Sequence, residues 1–278
     1  MQSRIIKPSI ELSSVVKQYL VVTDLQTFET MYCLPNGGNF LVFNRGLKAC
    51  SKLHTDDIYE IPQGLSASIK TDKAKKIVID KDFSLDSITL PIILVELTPI
   101  GFYKLFLKDA STLNQAYVTI DSEIQEKYFN DVYLQNNITE MIDYLDKSLI
   151  DLKNDNSVEP LLIEQIIQSI VQNHSCEVTV EELAIEFHIT RRTMERQFKK
   201  TVGYTPKNFI FILKFCKTFL KYMEEVKSLN DIEYLYTDNA HFNVVFKKIT
   251  GYTPRQLFKI VQNNEIKIYQ MQKKIKLF

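Results

Sequence analysis

The chain has 278 residues, of which 45% are hydrophobic and 24% charged, the make-up of an ordinary globular protein long enough for two domains. Its apolar runs, such as "LPIILVEL" (90–97), fall well short of the ~20 residues a membrane-crossing helix needs. The net charge of zero conceals an asymmetry: residues 1–157 carry 16 Lys+Arg against 21 Asp+Glu, a balance of −5, and residues 158–278 carry 18 against 13, a balance of +5. A basic C-terminal half fits a polyanion partner for that half only, although solvated charged faces give the same sign.

Residues 1–120 read as strands. "SSVVKQYLVVT" (13–23) fits a strand, or a short helix leading into one. "NFLVFNR", "IYEIP", "LSASIKT", "KKIVID" and "IILVEL" are short, β-branched and aromatic, with turn residues between them. "PNGG" (35–38) has the residues of a hairpin turn. Strands at this spacing predict a small barrel or sandwich. Tyr19, Tyr32, Phe40, Phe43 and Tyr59 are candidates for its interior, as packed core in preference to a ligand pocket. "PIGFYKLFLKD" (99–109) reads as a turn entering a short helix that closes one end.

From about 121 the apolar period changes. Ile124, Tyr128, Val132, Leu134, Ile138, Met141, Ile142 and Leu145 recur near helical spacing, predicting one or two helices over 121–153. The polar "NDNSVEP" (154–160) ends in proline and reads as a domain linker. Residues 160–278 then read as helical throughout. Leu162, Ile166, Ile167 and Ile170 line one helix face. Thr179 and Glu182 have the spacing of a capping box, followed by Leu183, Ala184 and Phe187 as a core face. Thr190 is the expected N-cap of a helix that turns Met194, Phe198 and Val202 inward and stops at Gly203. A helix of roughly 20 residues follows from Pro206, a length of about 30 Å.

Two stretches nearly coincide: "FKKTVGYTP" (198–206) and "FKKITGYTP" (246–254) agree at seven of nine positions, 48 residues apart. Gly203 and Gly251 can each take positive φ and end a helix. Thr205 and Thr253 can cap the next helix, and Pro206 and Pro254 suit its first turn. The lysines before each glycine suit the helix dipole and are placed to touch phosphate. Around the first copy, a capped helix, the tight turn "HIT" and a second capped helix give the outline of a helix-turn-helix. Its outward row is Arg191, Arg192, Glu195, Arg196, Lys199 and Lys200. Arg192 and Arg196, one turn apart, could enter a major groove and read guanine, with Lys199 and Lys200 on phosphates. The same row fits a solvated amphipathic face with a Glu–Arg pair, and spacing alone does not separate the two.

"LAIEFHITRRTMERQFKKTVGYTPKNFI" resembles the first helix-turn-helix of AraC-type (AraC/XylS) bacterial transcription regulators, and "DNAHFNVVFKKITGYTPRQL" the end of the second. The resemblance covers roughly 160–260. It implies two such units joined by a long helix and reading successive major grooves on one face of double-stranded DNA. "ELSSVVKQYLVV", "YCLPNGGNFLVF" and "VELTPIGFYKLF" resemble, more weakly, the cupin-like N-terminal domain of some of these regulators, which implies a sensory or dimerising part that takes a small-molecule effector. RNA polymerase and a second copy of the chain are further partners the resemblance implies.

The second unit departs from the pattern. Leu183 to Phe198 is 15 positions, whereas Ile232 to Phe246 is 14, so "DIEYLYTDNAHF" lacks two residues and the expected glycine. Val244 stands where Arg196 stands in the first unit. Asn239, His241, Asn243, Lys247 and Lys248 are what its recognition helix offers; asparagine can read adenine, and His241 is expected to pack or cap. The tail 263–278 reads as a final helix, a further phosphate contact or a frayed end, the last two equally favoured.

No catalytic constellation is present. "PNGG" lacks the pattern that cradles phosphate, and His54, His174, His188 and His241 are scattered, so neither metal nor cofactor is expected. His54 has Asp56 and Asp57 nearby, but one histidine is too few for a metal-binding cupin. Cys33, Cys50, Cys176 and Cys216 lie too far apart for a disulfide framework, and "MQSRIIKPSIELSS" has no secretory pattern, which together predict a cytoplasmic protein. The expected fold is α+β: a β-rich regulatory domain over 1–120 built as a small cupin-like barrel, a helical connector over 121–153 with a dimerising role, and an all-α DNA-binding domain over 160–278 with two helix-turn-helix units. The expected function is sequence-specific DNA binding in transcription, with most base readout from the first unit. The alternative is a degenerate relative that works through protein contacts.

Overall fold

A computed structural model of the chain describes residues 3–23, 30–44, 49–52, 58–62, 64–69, 74–79, 91–114, 117–159, 161–173, 178–225, 240–263 and 267–268. The N-terminal strands are β1 (Ser3–Ile6), β2 (Val16–Val22), β3 (Thr30–Cys33), β4 (Asn39–Asn44), β5 (Ala49–Lys52), β6 (Ile58–Glu60), β7 (Gly64–Ile69), β8 (Lys75–Ile79), β9 (Ile92–Leu97) and β10 (Val118–Thr119). A short strand near the other end of the chain, β11 (Lys267–Ile268), joins them. They form a six-stranded sheet in the order β1-β2-β9-β4-β7-β10 and a five-stranded sheet in the order β11-β3-β8-β5-β6. All pairings are antiparallel except β11 on β3.

Of the small barrel or sandwich expected from the sequence, the described residues show two sheets without barrel closure. Among the described residues no ladder joins one sheet to the other. They meet through side chains: Leu20, Val22, Phe40 and Val42 of the first sheet cluster with Cys33 and Ile77 of the second. The opposite face of the first sheet, with Tyr19, Val21, Leu41, Phe43, Ile93 and Val95, packs into the larger helical core. Strands β2, β4 and β9 are therefore buried on both faces, which is why they read as nearly continuous apolar runs.

The hairpin expectation fails for this reason, and the described interior aromatics are packed core divided between two clusters. "PNGG" is not a hairpin turn, because β3 and β4 belong to different sheets and residues 34–38 cross between them. Of the proposed interior aromatics, Phe40 faces the space between the sheets, while Tyr19, Tyr32 and Phe43 lie in the helix-side core. The Phe43 ring meets Phe129 edge-on at 5.4 Å. The side chain of Tyr59 and the whole of His54 lie outside the described residues.

Helix α1 (Gly101–Phe106) follows β9 as expected, and α2 (Ser122–Ile124) continues as a π-turn through Phe129. Helix α3 (Ile138–Asp155) starts at Asn137, whose side chain accepts the Glu140 N–H at 3.0 Å. It buries Met141, Ile142, Leu145, Leu149 and Leu152 within the chain. Asp146 anchors it to the N-terminal strands, accepting the Ser9 N–H at 2.8 Å and the Tyr19 hydroxyl. Burial, then that hydrogen bond and the carboxylate's charge, push the Tyr19 phenol well above its ordinary range. So α3 packs as part of the β-rich body.

The remaining helices are α4 (Leu162–Gln172), α5 (Val180–Glu186), α6 (Arg191–Val202), α7 (Pro206–Glu225), α8 (Ala240–Thr250) and α9 (Pro254–Gln262). Helix α7 has the 20 residues the sequence predicts. Residues 231–239, which hold Ile232, Asn239 and the shortened turn, lie outside the described residues.

The crossover 34–38 meets α7 directly. Gly37 has φ +74°, and a Cβ there would stand 2.8 Å from Cε2 of Phe209. The Cys216 thiol donates to the Pro35 carbonyl at 2.7 Å. Asn36 steadies the turn, donating to buried Glu96 at 2.7 Å and accepting the Gly38 N–H at 3.2 Å. On the second sheet, the Ala74 N–H donates to the Ile249 carbonyl at 2.8 Å, and the Tyr32 hydroxyl to the Thr250 carbonyl. The Tyr32 and Tyr252 rings lie 5.9 Å apart. Burial and the neighbouring Tyr252 raise the Tyr32 phenol above its usual range. The tail is neither a final helix nor frayed at residues 267–268, which pair with β3.

Candidate nucleic-acid interface

The first helix-turn-helix is α5, a turn and α6. Thr179 caps α5: its Oγ1 accepts the Glu182 N–H at 3.1 Å, and the Glu182 carboxylate accepts the Thr179 N–H at 2.7 Å. These bonds hold the Glu182 carboxyl below the usual carboxylate range. Thr190 caps α6, accepting the Thr193 N–H at 3.1 Å. Both caps are those read from the sequence. Gly203, at φ 89°, ends α6 as expected, its N–H bonded to the Lys199 carbonyl at 3.0 Å.

The turn between the helices rests on a residue the sequence reading passed over. His188 has φ 53°, a left-handed conformation usually given to glycine. It reverses the chain so that the Ile189 N–H bonds the Ala184 carbonyl at 3.1 Å. The signal was present: the turn between two capped helices demands such a residue, and histidine is one of the side chains enriched there.

Behind α6, Met194, Phe198 and Val202 are fully buried, with the Phe198 ring 5.4 Å from Phe209 of α7. The outward row divides into three. Arg191 is held between carboxylates, with Nη1 2.6 Å from Glu181 and Nε 2.8 Å from Glu195, and these contacts, Glu195 first, raise its guanidinium pKa. Lys200 lies 5.6 Å over the ring of Tyr103 on α1, and α6 packs against α1 and residues 110–114. Arg192, Arg196 and Lys199 are exposed, and no ion pair is seen for them among the described residues.

Helix α8, which carries the second copy of the repeated stretch, is packed on α7 through Phe246, whose ring lies 5.8 Å from Phe215 and 5.9 Å from Phe219. Gly251, at φ 76°, ends it, and its N–H bonds the Lys247 carbonyl at 2.7 Å. Thr253 caps α9 in a reciprocal pair with Gln256, at 2.9 and 3.3 Å. On the outer side Lys247 and Lys248 are exposed, Asn243 is half-buried and Val244 is 67% exposed. Asn239 and the His241 side chain lie outside the described residues. Among those residues no group of three His, Cys, Asp or Glu side chains is placed to hold a metal. No helix there is long and apolar enough to cross a membrane.

Two caps, a left-handed turn and an exposed arginine pair one turn apart are an arrangement fitted to a duplex groove. Residues 183–260 match the family model of a helix-turn-helix domain. Over 97 residues, 34% of this chain, the sequence is 33% identical to the HTH-type transcriptional activator RhaS of Mannheimia succiniciproducens, covering 35% of that protein. It is 32% identical over 95 residues to RhaS of Yersinia pestis, again covering 35% of that chain. The chain thus aligns with about a third of the length of the curated relatives it matches. Among solved structures, ToxT of Vibrio cholerae superposes with a TM-score of 0.44 at 12% identity, over 87% of this chain and 97% of that one.

Proposed function

We propose that this chain is a sequence-specific, DNA-binding transcription regulator of the AraC type rather than an enzyme, with the first helix-turn-helix giving most of the base readout. The observation that carries this reading is the exposed Arg192–Arg196 pair on a capped helix, inside a region that matches a helix-turn-helix domain, in a chain with a stretch similar to two HTH-type transcriptional activators. The two arginines reach base edges in the major groove and bind guanine through bidentate hydrogen bonds. Lys199 and the amide end of α6 at Thr190 hold the phosphate backbone. Helix α7, about 30 Å long at 1.5 Å per residue, has a length suited to spacing two units across the roughly 34 Å between successive major grooves on one face. There Lys247 and Lys248 contact phosphate. Likeness to activators makes positive regulation through RNA polymerase the expected outcome, with the β-rich half as the part that receives the signal.

A second reading, action through protein contacts with weak DNA binding, is favoured by Val244 in the second unit and by the acidic partners that hold Arg191. A gel shift of the full chain against genomic fragments at rising salt separates the two. Specific DNA binding predicts a retarded subset of fragments and affinity that falls steeply with salt as counterions are released. No retardation at any ionic strength would overturn it.

A further inference from the structure

The two recognition helices share a frame but differ in what they present. Phe198 in α6 and Phe246 in α8 are both fully buried. At about 100° per residue, a side chain two positions before such a residue points almost directly away from the core. That place holds Arg196 in α6 and Val244 in α8. Four positions earlier stand Arg192 and Ala240, and the lysine pair that follows each phenylalanine is the same. The frame keeps its phosphate-contacting lysines and exchanges a row of two guanidinium groups for alanine and valine.

A solitary exposed valine needs no explanation. This one is exposed in the middle of a helix whose opposite face, Phe246, Ile249 and Thr250, is buried, and one turn before exposed Lys248. With Lys247 and Lys248 on the backbone, the side chain that reaches the floor of the groove is Val244. In the major groove the apolar feature is the 5-methyl group of thymine. A valine against it removes both from water, whereas a valine against the amino group of cytosine leaves that donor without a partner.

We propose that Val244 reads the 5-methyl group of a thymine in the second half-site. This rests on the DNA-binding reading above and adds a base preference to a unit otherwise assigned to positioning. The test uses the full chain and its best site from selection on random duplexes, with each thymine replaced singly by deoxyuridine, which removes the methyl and leaves the pairing edge intact. One thymine, about 10 base pairs from the bases read by Arg192 and Arg196, should lose roughly three- to fivefold in affinity when changed, the size of one buried methyl group. Val244→Ala should abolish that sensitivity without altering the salt dependence. A selected site with no such thymine, or one equally sensitive in Val244→Ala, overturns the inference and leaves the DNA-binding reading standing. Failure to select any site overturns both.

Discussion

Replacing Gly37 by alanine should loosen the junction between the β-rich half and α7. Two costs are separable. A φ of +74° places an L-residue in the left-handed region, at about 1–2 kcal/mol. The added methyl would also stand 2.8 Å from Cε2 and 3.2 Å from Cδ2 of Phe209. That ring is fully buried and has Phe198 against it at 5.4 Å, so it has nowhere to swing. Overpacking of this kind costs about 1–3 kcal/mol, and the total should be about 2–5 kcal/mol. Equilibrium urea unfolding of the full chain, followed by far-ultraviolet circular dichroism, measures it. Phe209→Leu should recover the packing part in the double variant, giving a coupling of about 1–2 kcal/mol, while the backbone part remains. Additivity of the two substitutions within about 0.5 kcal/mol would refute the contact, and a total loss under about 1 kcal/mol would refute the strain as well.

Arg196→Ala should lose about 1–3 kcal/mol on the best site and flatten preference at one or two base pairs. Arg191→Ala should change preference far less, since Glu181 and Glu195 already hold that guanidinium. Binding to a library of single-base operator variants decides between them, and the reverse ranking would contradict the assignment. In the same library Lys247→Ala should weaken all sequences alike and Asn243→Ala should leave preference nearly intact. The Glu182 carboxyl is held below its unfolded value of about 4.3. Its contribution to the α5 cap is therefore present above that pH and is lost as pH falls through the lower folded value. Helicity of Glu182→Gln should show a weaker acid dependence than the parent between about pH 5 and 3; superimposable acid curves would remove the cap from the account. Residues 160–278 alone should stay helical but melt at a lower temperature than the full chain, because Phe209, Cys216 and Tyr252 lose their partners across the junction. A spectrum of mostly coil, or an unchanged melting temperature, would count against this.

The helical half was legible because its signals are local. Thr179, Thr190, Gly203 and Gly251 each act within four residues of themselves, so caps and stops could be placed without knowing what packs where. The inward row Met194, Phe198 and Val202 follows from the helical period alone. The β-rich half was legible only as strands. Which strand pairs with which depends on contacts far apart in sequence, so "PNGG" carried hairpin residues yet serves a crossover. A strand buried on both faces shows no alternation, so "NFLVF" puts Phe40 and Phe43 on opposite sides of the sheet by strand period but does not say which side meets the helices. At the candidate site the row from Arg191 to Lys200 was visible, but not its division. Glu195 lies one turn from Arg191 and announced itself, whereas Glu181 and Tyr103 reach the row only through folding.

The parallel pairing of β11 with β3 has a consequence for the order of events on the ribosome. Met31 and Tyr32 find their partners in Lys267 and Ile268. At about 5–20 residues per second, β3 waits on the order of 10–50 s after its own synthesis before the segment that covers its outer side exists. Throughout that interval β8 can bond one side of β3, while among the described residues no other strand bonds the opposite side, and such an edge is a template on which strands of other chains can add. Residues 267–268 thus act as a late-arriving cover for a strand made more than 230 residues earlier. Nascent chains that stall or end before residue 267 emerge with that edge still open.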